Sequence, residues 1–364
     1  MAGEGGKVHI GISGWRYAPW RGVFYPPKLA QRKELAFASR MLPTIEINGS
    51  FYSLQSPESY LAWHDETPDD FVFAVKGPRY LTHMRRLKDV RAPLANFFAS
   101  GVLALRQKLG PILWQFPPNM PFDPERFGAF FDLLPRDTDA ARALAHEHDS
   151  RLDHRDWLAP TPRRALRHAV EIRHESFRER AFVALLRKHK VALVVADTAG
   201  RWPLMEDVTS DFIYLRLHGD KQLYASGYDD QALDQWAARI DAWRRGGQVA
   251  DARTTAPRPP PRRAAREVFC YLTTTSRCMR PMTRPILRAA SACRPACRTT
   301  ALSRRRRACL SRAARQRRSP GGRASRRRRP HRRRHCHLRR NFLDPGGART
   351  PRRQCQGRIE RPSD

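Results

Sequence analysis

Cysteine is almost missing from the first three quarters of this chain. Of seven cysteines in 364 residues, six (Cys278, Cys293, Cys297, Cys309, Cys336 and Cys355) lie beyond residue 271, and the seventh is Cys270. That depletion excludes a disulfide framework for the folded part and leads us to expect a reducing, cytoplasmic compartment. Lysine is missing from the other end. Residues 272–364 hold 29 Arg, no Lys and only three acids (Asp344, Glu360, Asp364), a net of +26. The first 271 residues hold 40 basic and 32 acidic side chains, a net of +8. The total of +34 therefore describes a mildly basic domain followed by an arginine-rich segment, not a uniformly basic nucleic-acid binder. The opening Met1-Ala-Gly-Glu-Gly-Gly6 has neither a basic region nor an apolar core, so no secretory signal is expected. No apolar run reaches membrane-spanning length, so no membrane partner is expected.

What is present is a recurring alternation. Strand-like apolar runs occur at His9-Ile-Gly-Ile-Ser-Gly-Trp15, Thr44-Ile-Glu-Ile-Asn48, Phe71-Val-Phe-Ala-Val75 and Ile112-Leu-Trp-Gln-Phe116. They continue at Ala169-Val-Glu-Ile172, Ala192-Leu-Val-Val-Ala-Asp197, Phe212-Ile-Tyr-Leu-Arg-Leu-His-Gly219 and Val268-Phe-Cys-Tyr271. Helical candidates lie between them: Leu94 to Leu109, Phe182 to Lys190, and Asp234 to Arg245 with Trp236, Ile240 and Trp243 at helical spacing. Strands alternating with helices imply a parallel sheet, and about 270 residues suit an eight-stranded barrel. The expected fold is thus an α/β, TIM-like (β/α)8 barrel over residues 1–271. A doubly wound open sheet ranks lower, because Gly11-Ile-Ser-Gly14 lacks the third glycine of a dinucleotide turn. Asp137 to Arg167 is expected to be a helical excursion over the rim, and Val249 to Arg266, rich in Pro and Arg, a loop.

The motifs in this order resemble the YecE-like family, a domain of unknown function with a TIM-barrel fold. The resemblance covers about residues 8–271. It rests on Gly11-Ile-Ser-Gly-Trp15 with Trp20 and Phe24-Tyr-Pro26, and on Glu46-Ile-Asn48 with Phe51-Tyr52. Phe73-Ala-Val-Lys76 with Arg79 and Leu81-Thr-His83, then Leu109-Gly-Pro111 with Gln115-Phe-Pro-Pro118, extend it. Glu171-Ile-Arg-His174, Asp197 and Leu215-Arg-Leu-His-Gly219 complete it. One departure is Ser53, where the family has arginine after Phe-Tyr.

The resemblance also implies how the barrel ends, with Phe-Asp-Asn after the eighth strand and then an apolar closing helix. Here Tyr271 is followed by Leu272-Thr273 and Thr274-Thr-Ser-Arg-Cys-Met-Arg-Pro-Met-Thr283. Codons for Asn-Asp-Val-Lys-Val-His-Ala-Pro-Tyr-Asp, read one base later, give the ten residues from Thr274 to Thr283. One lost base thus converts the family ending into this one. The reading is that residues 272–364 are a disordered frameshift product, leaving the eighth strand truncated, the final helix missing and an unpaired edge beside strands one and seven. Such a tail would bind polyanions nonspecifically. A zinc site from Cys293, Cys297, His335 and His337 is disfavoured by its spacing.

Barrel sites sit where strands end. The polar residues there are Glu46 and Asn48, Lys76, Gln115, Glu171 and Arg173, Asp197, and Arg216 with His218. Alternation puts each pair on one side of its strand, and buried charges need partners, so these are not ordinary core. The competing interpretation is a structural network of ion pairs plugging the barrel. In the functional one, Lys76, Arg173 and Arg216 hold a phosphate or carboxylate. Glu46 or Glu171 is then the general base and His218 the acid or its partner. Asn48, Gln115 and Asp197 join the binding set, Trp15 and Tyr52 supply aromatic walls, and Trp114 is either a wall or outward packing. A divalent ion on Glu46, Glu171, Asp197 and His218 is the metal alternative. Neighbouring Lys and Arg compete for those carboxylates, so a metal-free, cofactor-free site is preferred. The function expected is acid/base chemistry on a small anionic substrate, impaired if the barrel end is lost. The alternative is a nucleic-acid-binding module using a basic rim or the tail.

Overall fold

The computed structural model describes residues 5–219, 228–257 and 263–273. The chain divides into two units, Met1–Cys297 and Arg298–Asp364, and every described residue lies in the first. The readings placed on residues 274–364 (disorder, a polyanion-binding tail, a zinc site and the missing final helix) lie outside the described residues.

Eight strands form a closed, fully parallel barrel in sequence order. They are β1 (Val8–Ser13), β2 (Thr44–Ile47), β3 (Val72–Lys76), β4 (Leu109–Gln115), β5 (His168–Glu171), β6 (Ala192–Asp197), β7 (Phe212–Leu217) and β8 (Glu267–Leu272). The expected open edge is not there. β8 pairs with β1 from Val8↔Val268 to Ile12↔Leu272 and with β7 from Phe212↔Glu267 to Leu217↔Leu272. The reason is physical: a ladder uses only backbone groups, and the six residues Glu267–Leu272 supply the whole register whatever side chains follow Tyr271. Gly11 marks the tightest approach, between β1 and β2, where a Cβ would lie 2.0 Å from the Thr44 carbonyl oxygen.

The helices are α1 (Glu34–Met41), α2 (Gly49–Tyr52), α3 (Pro57–Glu66), α4 (Arg91–Ala99), α5 (Pro124–Leu133), α6 (Thr138–Ala145), α7 (Arg180–Lys188) and α8 (Asp230–Arg244). Asp123, Asp137 and Asp229 cap α5, α6 and α8 by accepting from the backbone N–H three residues on. The single helix expected from Leu94 to Leu109 is broken. α4 stops at Ala99, Gly101 turns the chain with φ 108°, and a 3-10 segment, Val102–Lys108, leads into β4. The stretch from Asp137 to Arg167 is also less helical than expected. It holds α6, which packs on α4, and a short 3-10 turn, Ser150–Leu152. The remainder is loop tied back by an antiparallel bridge from Asp137 to Ala165.

Alternation along the strands gives two cores. Outside the sheet, Phe97, Phe98, Trp114, Phe127, Phe130 and Phe131 are fully buried under the helices. Inside the barrel, Ala74, Leu113, Ala169, Val194, Tyr214, Phe269 and Tyr271 fill the middle. Trp114 is outward packing: it meets Phe97 and Phe130 edge-on and donates its indole N–H to His168 Nδ1 at 3.2 Å. Two residues beyond the inner apolar layer come Lys76, Gln115, Glu171 and Arg216, so a polar layer sits on the apolar one at the C-terminal ends of the strands.

Candidate functional site

Arg216 is the centre of that polar layer. Its guanidinium donates to Glu46 Oε1 at 2.9 Å and to Glu171 Oε2 on the opposite side. Ser13 and Tyr214 also donate to the Glu46 carboxylate, Tyr214 to Oε2 at 2.7 Å, while Arg173 donates to Glu171 Oε1 at 3.0 Å. Asn48 donates to Ser13 Oγ at 2.6 Å and closes the set. Glu46 and Glu171 are 0 % exposed and Arg216 3 %, so the bonds of Arg216, Ser13 and Tyr214 to the two carboxylates are made away from bulk water. Burial alone would raise the Glu171 carboxyl, but Arg216 and Arg173 outweigh it and hold it well below the usual carboxylate range. Burial opposes the Arg216 charge too, and Glu46 and Glu171 more than restore it.

Both oxygens of Glu46 and both of Glu171 are engaged, and Glu171 has little affinity for a proton. The hydrogen bonds of Arg216 go to those two carboxylates and to Ser13 Oγ. His218 is fully buried against the Thr273 hydroxyl, and burial with the nearby Arg216 drives it well below the ordinary imidazole range. Glu46, Glu171 and Arg216 thus form a plug of ion pairs, and His218 lies beside it.

Next to the plug lies an open cleft of about 480 Å³ lined by Phe51, Tyr52, Lys76, Arg79, His83, Met84, Gln115 and Arg173. α2 brings Phe51 and Tyr52 to it, and β3, β4 and the turn after β5 bring Lys76, Gln115 and Arg173. The connection after β3 is unusual. Gly77 passes so close to Trp114 that a Cβ would sit 2.3 Å from the ring, and Tyr80–Met84 then forms a single π-helical turn. Such turns re-aim side chains, and this one carries His83 and Met84 to the cleft. Lys76 is 7 % exposed, with its ammonium 3.9 Å from the centre of the Phe51 ring. Among the described residues its ammonium makes no hydrogen bond or ion pair. Burial, then repulsion from Arg216, pull it from 10.5 to about 7 against the opposing pull of Glu171 and Glu46. Burial and the charges of Lys76, Arg173 and Arg79 lower His83 to about 4, so it is neutral at pH 7. The Arg173 guanidinium lies flat over Trp202, 3.7 Å from its centre.

Of the residues expected to bind, Tyr52, Lys76, Gln115 and Arg173 are thus brought together. Trp15 and Asn48 are not with them; they line a separate recess with Tyr17, Gln55 and Trp63. Asp197 accepts from the Tyr228 hydroxyl at 2.9 Å and from Ala199 N–H, tying β6 to the start of α8. His174 caps the short turn Glu175–Phe177. The divalent-ion set is not assembled: among the described residues no three His, Cys, Asp or Glu side chains gather to hold a metal. Arg79, His83 and Phe51 were missed. Their signal was the density of basic residues just after one strand, Lys76-Gly-Pro-Arg79 and then His83.

Two outcomes follow from the contrast between plug and cleft. Glu171→Gln should lower stability by about 3 kcal/mol, because it removes one of two buried counter-charges from Arg216. A fall in the urea midpoint with unchanged slope checks this, and a variant as stable as the parent would refute it. Lys76→Met should instead stabilise the fold. The folded-state value of Lys76 lies below its ordinary value, so the folded state holds fewer protons between pH 7 and 10.5 and stability rises with pH there. The variant's gain in Tm should be on the order of 5 °C at pH 6 and shrink towards pH 10. A gain independent of pH would sink the buried-amine description.

The family described as "Protein of unknown function DUF72" matches residues 9–267. Over 116 residues the chain is 32% identical to the UPF0759 protein YunF of Bacillus subtilis, covering 30% of this chain and 40% of that one. Over 131 residues it is 28% identical to the UPF0759 protein YecE of Escherichia coli K12, covering 35% and 44%. The chain therefore spans less than half the length of these curated relatives. A DUF72 family protein from Thermotoga maritima superposes with a TM-score of 0.55 at 21% identity, over 78% of this chain and 97% of that one. Another from Enterococcus faecalis gives 0.50 at 14%, over 74% and 90%. These two likenesses show the barrel fold. Since the family match runs from β1 to the first residue of β8, the chain belongs to the DUF72 family.

Proposed function

We propose that this barrel is an enzyme that takes a small phosphate- or carboxylate-bearing molecule into the cleft beside Lys76 and acts on it by acid/base chemistry. The observation that carries this is Lys76 itself: a buried cation with no counter-charge of its own, facing an open space ringed by Arg79, Arg173 and Gln115. An anion placed there would supply the counter-charge that Lys76 lacks, with Arg79 offering a planar donor pair, Gln115 an amide, and Arg173, bonded to Glu171, standing beside them. A group that titrates near 7 is also the one best suited to take up and return a proton at neutral pH. In this reading the base is Lys76, and Glu46 and Glu171 keep their structural place. Inorganic phosphate, in low salt, should raise the Tm of the full chain by about 3 °C at ten times its Kd. Arg79→Met should weaken that response about tenfold. Arginines outside the cleft are common to both proteins, so an equal response in both would defeat the proposal.

Two narrower proposals accompany it. The cysteine distribution favours a cytoplasmic setting. The residues after Tyr271 are best accounted for by a one-base loss. Resequencing the gene across that point and restoring one base should give an apolar helix-forming stretch; an equally arginine-rich, apolar-poor reading in the restored frame would overturn the frameshift.

A further inference from the structure

The same amine has a second capability that proton transfer does not use. Lys76 sits at the end of β3 with its Nζ against the Phe51 ring and its chain enclosed, yet it lines the open cleft. The Tyr52 ring, 68 % exposed, and Met84, 64 % exposed, stand at the same cleft, so a small molecule can reach the amine. The carboxylates nearest in the polar layer are both committed to Arg216, and no acid is bonded to Lys76. A lysine kept from water and from acids, beside other cations, is the environment that turns an ammonium into a nucleophile. Lys108 is the internal contrast. It is as buried as Lys76, but its ammonium donates to the carbonyl oxygens of His64 and Thr67.

We propose that Lys76 forms a covalent imine with an aldehyde or ketone that carries a phosphate or carboxylate group. The proposal rests on the anion-binding reading of the cleft and names its substrate class: Arg79 and Arg173 take the anionic group, and the carbonyl carbon meets Nζ. The lone pair of the neutral amine attacks that carbon, forming the C–N bond while the carbonyl π pair moves to oxygen. The oxygen takes a proton and nitrogen loses one, giving a carbinolamine. A second proton on that oxygen lets it leave as water, the nitrogen lone pair forming the C=N bond of a protonated imine. Protons exchange with solvent in the open cleft, and one water is released. The protonated imine withdraws electrons from the adjacent carbon, which acidifies its C–H bond. That places the chemistry among proton transfers and carbon–carbon bond changes next to a carbonyl.

The chain itself makes the test clean. The arginine-rich residues 272–364 contain no lysine, so trapping on primary side-chain amines reads only the first 271 residues, which contain nine. Glyoxylate, an aldehyde bearing a carboxylate, is the probe, with sodium cyanoborohydride to reduce any imine and peptide mass mapping to locate it. At pH 7 Lys76 should be labelled roughly tenfold or more faster than the exposed Lys7, Lys28, Lys33, Lys88, Lys188 and Lys190, because its amine alone among them is held out of water beside an anion-binding cleft. Acetaldehyde, which lacks the anionic group, should show less of this preference, and inorganic phosphate should slow the labelling of Lys76 alone. In Lys76→Met the fast label should vanish while the others persist. Labelling spread evenly over the lysines would overturn the imine, and the phosphate-induced Tm shift would then decide separately whether the anion cleft stands. Fast labelling of Lys76 that neither phosphate nor the choice of aldehyde alters would support the reactive amine and remove the anion site.

Discussion

One guanidinium organises the upper half of this barrel. Arg216 bridges Glu46 on β2 and Glu171 on β5 across the interior, with Ser13 on β1 and Tyr214 on β7 completing the shell. Two acids and one base that are all under 5 % exposed can coexist only because each satisfies the others, so removing any member leaves an unpaired charge in a dry place. The arrangement is also a constraint on topology. It ties four strands that are not all neighbours, and it forms only when the sheet is closed.

The same interaction decides what the cleft can be. If either carboxylate were free, Lys76 would pair with it and remain a firmly protonated ammonium. Arg216 and Arg173 hold Glu171, and Arg216 with Tyr214 and Ser13 hold Glu46, which leaves Lys76 with an aromatic face and no acid. The plug has two acids for two arginines, and the cations that face the opening, Lys76 and Arg79, are those it has not neutralised. The cleft's positive character is thus a product of the plug, and the chemistry proposed for Lys76 depends on residues that never meet a substrate.

The alternation of apolar runs and helical spacers was enough to read the barrel, because strand period and helix period are written locally. The breaks within elements were not. Gly101 ends α4 in a sequence that otherwise continues at helical spacing, and nothing local says that the turn wins. The polar residues at strand ends were legible as a group, since Glu46, Lys76, Glu171 and Arg216 are each two residues past an inward-facing position. Their division into plug and cleft was not legible. It depends on which guanidinium reaches which carboxylate across the barrel, 170 residues apart in the chain for Arg216 and Glu46. A strand end announces that a side chain points inward, but not what waits for it there.

The eighth strand shows how little chain a barrel needs in order to close. Tyr271 packs at a tilt against Tyr214 with ring centres 5.1 Å apart, and its hydroxyl meets Thr44 Oγ1 at 2.8 Å across the barrel interior. It is also the register partner of Arg216. Leu272 continues the ladder, and Thr273 follows it with its N–H donating to the Leu217 carbonyl and its hydroxyl meeting His218 Nδ1. The cleft draws on β3, β4 and β5, on the side of the barrel away from β8. Its geometry therefore depends on closure of the sheet and on the Arg216 plug, and on no described side chain later in the sequence than Tyr271.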